Sequence, residues 1–410
     1  KTHARAARKI PDTTGSTGSI YGTLSVGPAR PASDITRRVS PVIASRTATA
    51  PRSWSTAQLS WPISRCPGPC TSSTSSRGPR STKWQRTSCA TWQSRKRIER
   101  LQFKTNTGRF FEDYTAGETL QHAVPRTVKM GERALYHMLY PARHALYSSD
   151  EFARASGLPQ SPLDDLAAFH VVFGKTVPDV SLNAVANLGY AMGRWHLPVY
   201  SGDTLRSVSE VIGLKQNSNG KSGVVWVHTR GVNQMDEVVL DFVRWVMVRK
   251  GNVDAPAPQT VVPELSNVVD PAALVIPKGL DFTNYDFTMS GEPHRWGDYE
   301  IGETIDHVDG VTVEEAEHMM ATRLWQNTAK VHFNTQAREG GQRLIYGGHI
   351  ISLARALSFN GLANAQTIAA INGGAHAAPA HAGDTVYAWS EVLDKAETPA
   401  PGVGAVRLRL

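Results

Sequence analysis

Asp113-Tyr114-Thr115-Ala116-Gly117-Glu118-Thr119 returns 185 residues later as Asp298-Tyr299-Glu300-Ile301-Gly302-Glu303-Thr304. Thr127-Val128 matches Thr312-Val313 at the same offset, and Gly202-Asp203-Thr204-Leu205 matches Gly383-Asp384-Thr385-Val386 at an offset of 181. Ordered matches at nearly constant spacing mark a duplicated module of about 140 residues. In the second copy, Thr312-x-x-Glu315 reads as a capping box, followed by a helix with Ala316, Met319, Met320 and Leu324 on its apolar face. The stretch from His349 to Phe359 is apolar nearly all round, which predicts a buried helix packed on a sheet. In the first copy, Ser222–Val232 and Glu237–Arg249 read as a hairpin. Helix first, strands after, predicts an α+β fold in which an antiparallel sheet curls around one central helix.

The second copy reads as incomplete. Forty-eight residues follow Gly202 up to Lys250, but only 27 follow Gly383, so a counterpart of the Glu237–Arg249 strand is missing. An open sheet edge is the expected consequence.

The 410 residues suit two or three domains. No run of eighteen apolar residues predicts a membrane-spanning helix. Cys66, Cys70 and Cys89 are too few for a disulfide scaffold, and no Cys/His cluster has zinc-ligand spacing, so no metal is expected. The net charge of +8 raises nucleic acid as a partner until its distribution is counted. Residues 1–100 hold 18 Lys+Arg against 3 Asp+Glu; the remainder holds 26 against 33, a net of −7. The first hundred residues also carry 31 Ser+Thr and no sustained helix or strand period, and residues 1–103 read as disordered. An Arg/Ser-rich transit peptide, a basic nucleic-acid-binding arm and an upstream stretch read out of frame compete for this segment, and the third is favoured. Two modules, 104–250 and 286–410, then flank a Pro-rich linker over 251–285. The mildly acidic modules give no reason to expect nucleic acid or membrane partners.

Chemistry is concentrated around Asn327 and His332, five residues apart, just before Tyr346-Gly347-Gly348-His349 opens the buried helix. A histidine serves as general acid or base near neutral pH. Asn327 can hold a water or orient a carbonyl. The N–H groups of Gly347, Gly348 and His349, at a helix N-terminus, can bind a developing oxyanion. That set suits addition of water to a carbonyl-conjugated double bond, or its removal. Taken singly, each residue has a plainer reading: a structural histidine, a helix C-cap, a glycine turn. The repeat favours the chemical one, because Ala142 and Tyr147 stand opposite Asn327 and His332, so only one copy keeps the polar pair. Asp164 and Asp165, where the first copy's buried helix starts, are either an acid/base pair or simple caps. Arg323, Lys330, Arg343 and Arg355 flank the candidate pocket and could pair with a carboxylate or phosphate. His170, His228 and His376 have no partner in pattern and read as structural.

Phe110-Phe-Glu-Asp-Tyr-x-x-Gly-Glu-Thr119, Ser161-Pro-Leu-Asp-Asp165, Arg244-Trp-Val-Met-Val-Arg-Lys250 and Tyr346-Gly-Gly-His-Ile-Ile-Ser-Leu-Ala-Arg355, among other stretches between Lys104 and Leu410, closely resemble the mesaconyl-CoA hydratases, or β-methylmalyl-CoA dehydratases, of the MaoC-like double hotdog hydratases. The resemblance implies a tandem hotdog fold, two antiparallel sheets each wrapped around a central helix. It implies reversible hydration of mesaconyl-CoA in cytoplasmic carbon metabolism, with an acyl-CoA substrate and no cofactor beyond the coenzyme A of that substrate. In the wider family a catalytic Asp stands five residues before the catalytic His; here His332 matches, but Asn327 occupies the Asp position. Asn cannot accept a proton, so either His332 performs both transfers through water or Asp164 or Asp165 takes part. Tyr346, Arg355 and Arg323 are the expected substrate-binding residues. Hotdog modules commonly pair; the tandem supplies one pair, and a homodimer would be a further one. A hotdog thioesterase, another enoyl-CoA hydratase, a basic binding protein and a non-catalytic fragment are the competing readings.

Overall fold

The repeated Asp-Tyr-x-x-Gly-Glu-Thr motif builds the same corner twice. A computed structural model describes residues 21–26, 104–337 and 340–410. At each corner a 3-10 turn, Phe111–Asp113 or Trp296–Asp298, is closed by the Asp carboxylate accepting the N–H of Phe110 or Arg295 at 2.8 Å. Gly117 and Gly302 then adopt φ of +84° and +89°, a conformation costly for residues with a Cβ. Their N–H groups donate to Val211 O and Val392 O, both at 2.7 Å. Further along, Thr127 and Thr204 share a hydroxyl hydrogen bond, as do Thr312 and Thr385. His122 and His307 meet Ser209 and Ser390, each at 2.8 Å. The duplication seen in sequence is therefore preserved contact by contact.

The strands are β1 (Tyr21–Val26), β2 (Thr119–Thr127), β3 (Ala184–Trp195), β4 (Thr204–Gln216), β5 (Ser222–Val232), β6 (Val238–Arg249), β7 (Thr304–Thr312), β8 (Ala370–Ala375), β9 (Thr385–Glu397) and β10 (Gly404–Arg409). The first module forms the antiparallel order β2-β4-β5-β6-β3, and the second runs β8-β1-β10-β9-β7. β3 and β8 pair edge to edge, with Tyr190 opposite Gly374, so the hydrogen bonding is continuous over ten strands. The longer helices are α1 (Met130–Leu139), α2 (Asp165–Thr176), α3 (Glu315–Leu324) and α4 (Gly347–Leu357). α2 packs on β4 and β2, and α4 on β9 and β7, each as the central helix of its module. Both contribute to one apolar cluster that also holds Tyr136, Trp195, Phe242, Trp325 and Ile371. These are two hotdog modules with a shared core.

Four expectations need revision. The Thr312-x-x-Glu315 capping box does not form: Thr312 ends β7, α3 begins at Glu315, and Glu315 instead pairs with Arg343. The buried face of α3 is His318, Ala321 and Thr322 rather than Ala316 and Met320, which are exposed. Polar residues can turn inward there because they find partners: His318 Nε2 accepts the Tyr346 N–H at 2.9 Å, and Thr322 donates to Met319 O at 2.9 Å. Residues 21–26, expected to be disordered, form β1; the rest of 1–103 lies outside the described residues. β1 pairs with β10 and β8 where β6 sits in the first module, so the exposed edge predicted beside β10 is covered. An unpaired edge offers a row of N–H and C=O groups that any extended backbone can satisfy. The linker region carries only a bridge between Val261 and Leu214 and a 3-10 turn at Pro271–Ala273. No described helix is long and apolar enough to cross a membrane.

Candidate active site

A cavity of about 630 Å³ lies between the modules, bordered by α4, β3, β6 and the segment after α3. Its size suits a small organic ligand. Asn327, His332, Tyr346 and Gly347 line it together, so four of the residues singled out in the sequence meet at one wall.

Asn327 is placed by the way α3 ends. Gln326 adopts φ +55°, and the Asn327 N–H returns to Thr322 O at 2.9 Å, a Schellman-type closure. The Asn327 side chain is buried. His332 stands in the helical turn Lys330–Phe333, half-buried. Its Nδ1 lies 2.7 Å from Leu344 O. A carbonyl only accepts, so Nδ1 carries the proton and Nε2 is the basic nitrogen of the neutral ring. Burial lowers the pKa of His318 and His170 to about 3, and of His349 and His376 to about 4. The wall around His332 is therefore built of neutral imidazoles.

Tyr346 caps α4 from within the wall. Its ring centroid lies 5.9 Å from that of His332, and its hydroxyl 3.1 Å from His170 Nδ1. Gly347 and Gly348 open α4, whose first N–H groups have no intrahelical acceptor. A Cβ on Gly347 would fall 2.2 Å from Cε1 of His376, so any other residue there would require the His376 ring to move. His349 departs from expectation. Its N–H donates to Tyr346 O at 2.9 Å and its Nδ1 meets the Tyr140 hydroxyl at 3.1 Å, so it is committed to the scaffold.

Asp164 and Asp165 do not border this cavity. Asp164 caps α2, its carboxylate accepting the Leu166 N–H at 2.9 Å. Asp165 lines the counterpart site in the first module, which is closed to about 20 Å³. There Tyr147, in the place of His332, donates to Asp165, and Ile368 N–H does so at 2.7 Å. Burial, then the Asp164 charge, push the Asp165 carboxyl from its ordinary 3.8 up to about 7. The folded chain thus keeps a proton that the unfolded chain has lost. Stability from this group is present below about pH 4 and is lost as pH rises towards 7. Asp165→Asn is expected to flatten that fall, read from urea midpoints across the same range; an unchanged slope would remove Asp165 as the source.

Arg355 is buried against Ser358 Oγ and Ala365 O, away from the cavity, and Arg323 is exposed. The cavity instead recruits residues that carried no assigned role: Asn187, Tyr190, Arg244 and His376. One signal was available. Arg244 is an arginine inside the otherwise apolar run Val243–Val248; the acidic residue of the same strand, Asp241, lies three positions away, on the opposite face, and pairs with His196 and His228. Among the described residues, no group of three or more His, Cys, Asp or Glu is placed to hold a metal ion.

A family model described as mesaconyl-CoA hydratase matches residues 87–409. The chain is 74% identical over 307 residues to the mesaconyl-CoA hydratase of Cereibacter sphaeroides, covering 75% of this chain and 90% of the relative. It is 60% identical over 310 residues to the β-methylmalyl-CoA dehydratase of Chloroflexus aurantiacus, covering 75% and 88%. A crystal structure of a MaoC domain protein from Chloroflexus aurantiacus is 59% identical, with a TM-score of 0.73 and coverage of 74% and 88%. A Mycobacterium tuberculosis protein with a double hotdog fold is 24% identical, with a TM-score of 0.61 and coverage of 75% and 99%, a likeness of fold alone.

Proposed function

The chain belongs to the mesaconyl-CoA hydratase family, and we propose that it is a hydro-lyase that reversibly hydrates mesaconyl-CoA to β-methylmalyl-CoA at the cavity beside His332. The observation that carries the reading is His332 on the same wall as the α4 N-terminus, with its Nδ1 fixed by Leu344 O.

In the hydration direction, Nε2 of His332 takes a proton from water as the hydroxide oxygen bonds to the β-carbon. The π electrons move towards the thioester carbonyl, whose oxygen gathers negative charge. The N–H groups of Gly347 and Gly348, with the positive end of the α4 dipole, stabilise that oxygen. The imidazolium then delivers its proton to the α-carbon, so one water is added and His332 returns to neutral. A single base for both transfers fits the lining, which contains no Asp or Glu side chain among the described residues. Asn327 orients the water or the carbonyl without exchanging a proton. The reading includes no resident cofactor, since coenzyme A arrives within the substrate, and it places the enzyme in the cytoplasm.

Incubation with β-methylmalyl-CoA should raise the absorbance of the conjugated thioester without release of free thiol. Thiol release would indicate a thioesterase. Inertness towards β-methylmalyl-CoA, with activity on other enoyl-CoA substrates, would overturn the substrate.

A further inference from the structure

Arg244 is fully buried on the cavity wall, yet no ion pair to it forms among the described residues. One Nη donates to Thr176 Oγ1 at 2.6 Å, while Nε and the other Nη have no hydrogen-bond partner among the described residues. A buried guanidinium without an anion is strongly unfavourable, and such a defect persists where a ligand completes it. Burial lowers its pKa only to about 10, so the group stays cationic at neutral pH.

The sheet gathers two further unsatisfied groups beside it. Arg244 on β6 stands directly opposite Tyr190 on β3, so both side chains leave the same face. An irregularity between Asn187 and Gly189 sets Asn187 opposite Val246, two residues along from Arg244, and turns it to that face as well. The Tyr190 hydroxyl and both polar atoms of the Asn187 amide are buried with no well-formed hydrogen bond among the described residues, the two side chains lying near enough to interact only weakly with each other, and all three residues line the cavity. The guanidinium carbon lies 4.4 Å from the Phe173 ring centroid, Phe173 is 5.3 Å from Tyr346, and Tyr346 is 5.9 Å from His332. A cationic, hydrogen-bonding recess and a general base thus flank the same aromatic wall.

We infer that Arg244, assisted by Asn187 and Tyr190, binds the free carboxylate of the substrate and sets a preference for dicarboxylic acyl thioesters. This rests on the hydratase reading above. Mesaconyl-CoA is the monothioester of a dicarboxylic acid and carries one free carboxylate. The carboxylate can be met by Nε or Nη1 together with the second hydrogen of the Nη that also donates to Thr176, a planar fork that matches it in geometry and charge.

The test compares mesaconyl-CoA with two isosteres, tiglyl-CoA and 3-methylcrotonyl-CoA, in which a methyl group replaces the carboxylate. The unaltered protein is expected to favour mesaconyl-CoA in kcat/KM by about 10²-fold or more, because a site built around a polar group rejects analogues lacking it. Arg244→Met should lower that preference by about 10²–10⁴-fold, and Arg244→Lys should restore part of it. The preference is a ratio within one preparation, so partial misfolding cancels. No preference in the unaltered protein, or equal losses on all substrates in the variants, would overturn the carboxylate assignment while leaving the hydratase reading intact. If Arg244→Met yields no folded protein, the unaltered protein's ratio and Arg244→Lys decide. Inertness of the unaltered protein towards all three thioesters would instead defeat the hydratase reading, and this proposal with it.

Discussion

Replacing His332 with Ala is expected to lower kcat for β-methylmalyl-CoA dehydration by about 10²–10⁴-fold, the range for losing a positioned general acid/base. The effect should fall on kcat and leave KM within a few fold, because His332 is assigned to proton transfer rather than to holding the substrate. The size depends on there being no substitute. Asn327 has no basic atom, and the cavity lining contains no Asp or Glu side chain among the described residues. His376 lines the same cavity but is neutral, with a pKa lowered to about 4 by burial, which makes it a weak base. His318 is closer to His332, at 6.1 Å between ring centroids, but its Nε2 is occupied by the Tyr346 N–H. Retention of wild-type kcat, measured by thioester absorbance, would refute the role. Loss of exchange of the α-proton with solvent deuterium in parallel with kcat would support a single base for both transfers.

Much of this site was legible because the chain carries its own control. Placing the two copies in register set His332 against Tyr147 and Asn327 against Ala142, and the structure shows what the difference means. Where His332 stands, the cavity is open; where Tyr147 stands, its hydroxyl meets Asp165 and the space is nearly closed. The corner motifs were legible for a local reason, since a turn with φ above zero and an Asp closing it needs those residues at that spacing. Arg244 was harder to see. Its importance lies in what does not surround it, and a missing counter-ion is a property of the packed molecule rather than of neighbours in sequence. The face of α3 was misjudged for a related reason. Hydrophobicity alone put Met320 inside, whereas His318 and Thr322 are buried because backbone groups three-dimensionally adjacent to them supply hydrogen bonds. Asp164 and Asp165 looked reactive because two carboxylates head an apolar helix, but which module's cavity they face is decided by the pairing of the modules.

Gly174→Ala should be among the most damaging small substitutions in the protein, costing about 3 kcal/mol or more of stability and lowering activity as well. Gly174 lies in α2, and a Cβ there would fall 1.7 Å from the backbone oxygen of Trp325 and 2.9 Å from its carbonyl carbon. The obstacle is backbone, not the mobile end of a side chain, so α2 or the end of α3 must move. That end has little freedom. Arg126 donates to Leu324 O, Lys175 reaches the Gln326 side chain, and the buried Trp325 indole N–H meets the Tyr140 hydroxyl at 3.3 Å. Gln326 already sits at φ +55°, which is unfavourable for a residue with a side chain. The same turn places Asn327 in the cavity through its N–H to Thr322 O. Pushing Trp325 away therefore shifts Asn327, and catalysis should suffer through geometry rather than through any lost functional group. Urea unfolding measures the first effect, and kcat under conditions where the variant remains folded measures the second. A variant with wild-type stability would show that the modules can separate at this contact. A destabilised variant with wild-type kcat would show that the end of α3 does not position the site.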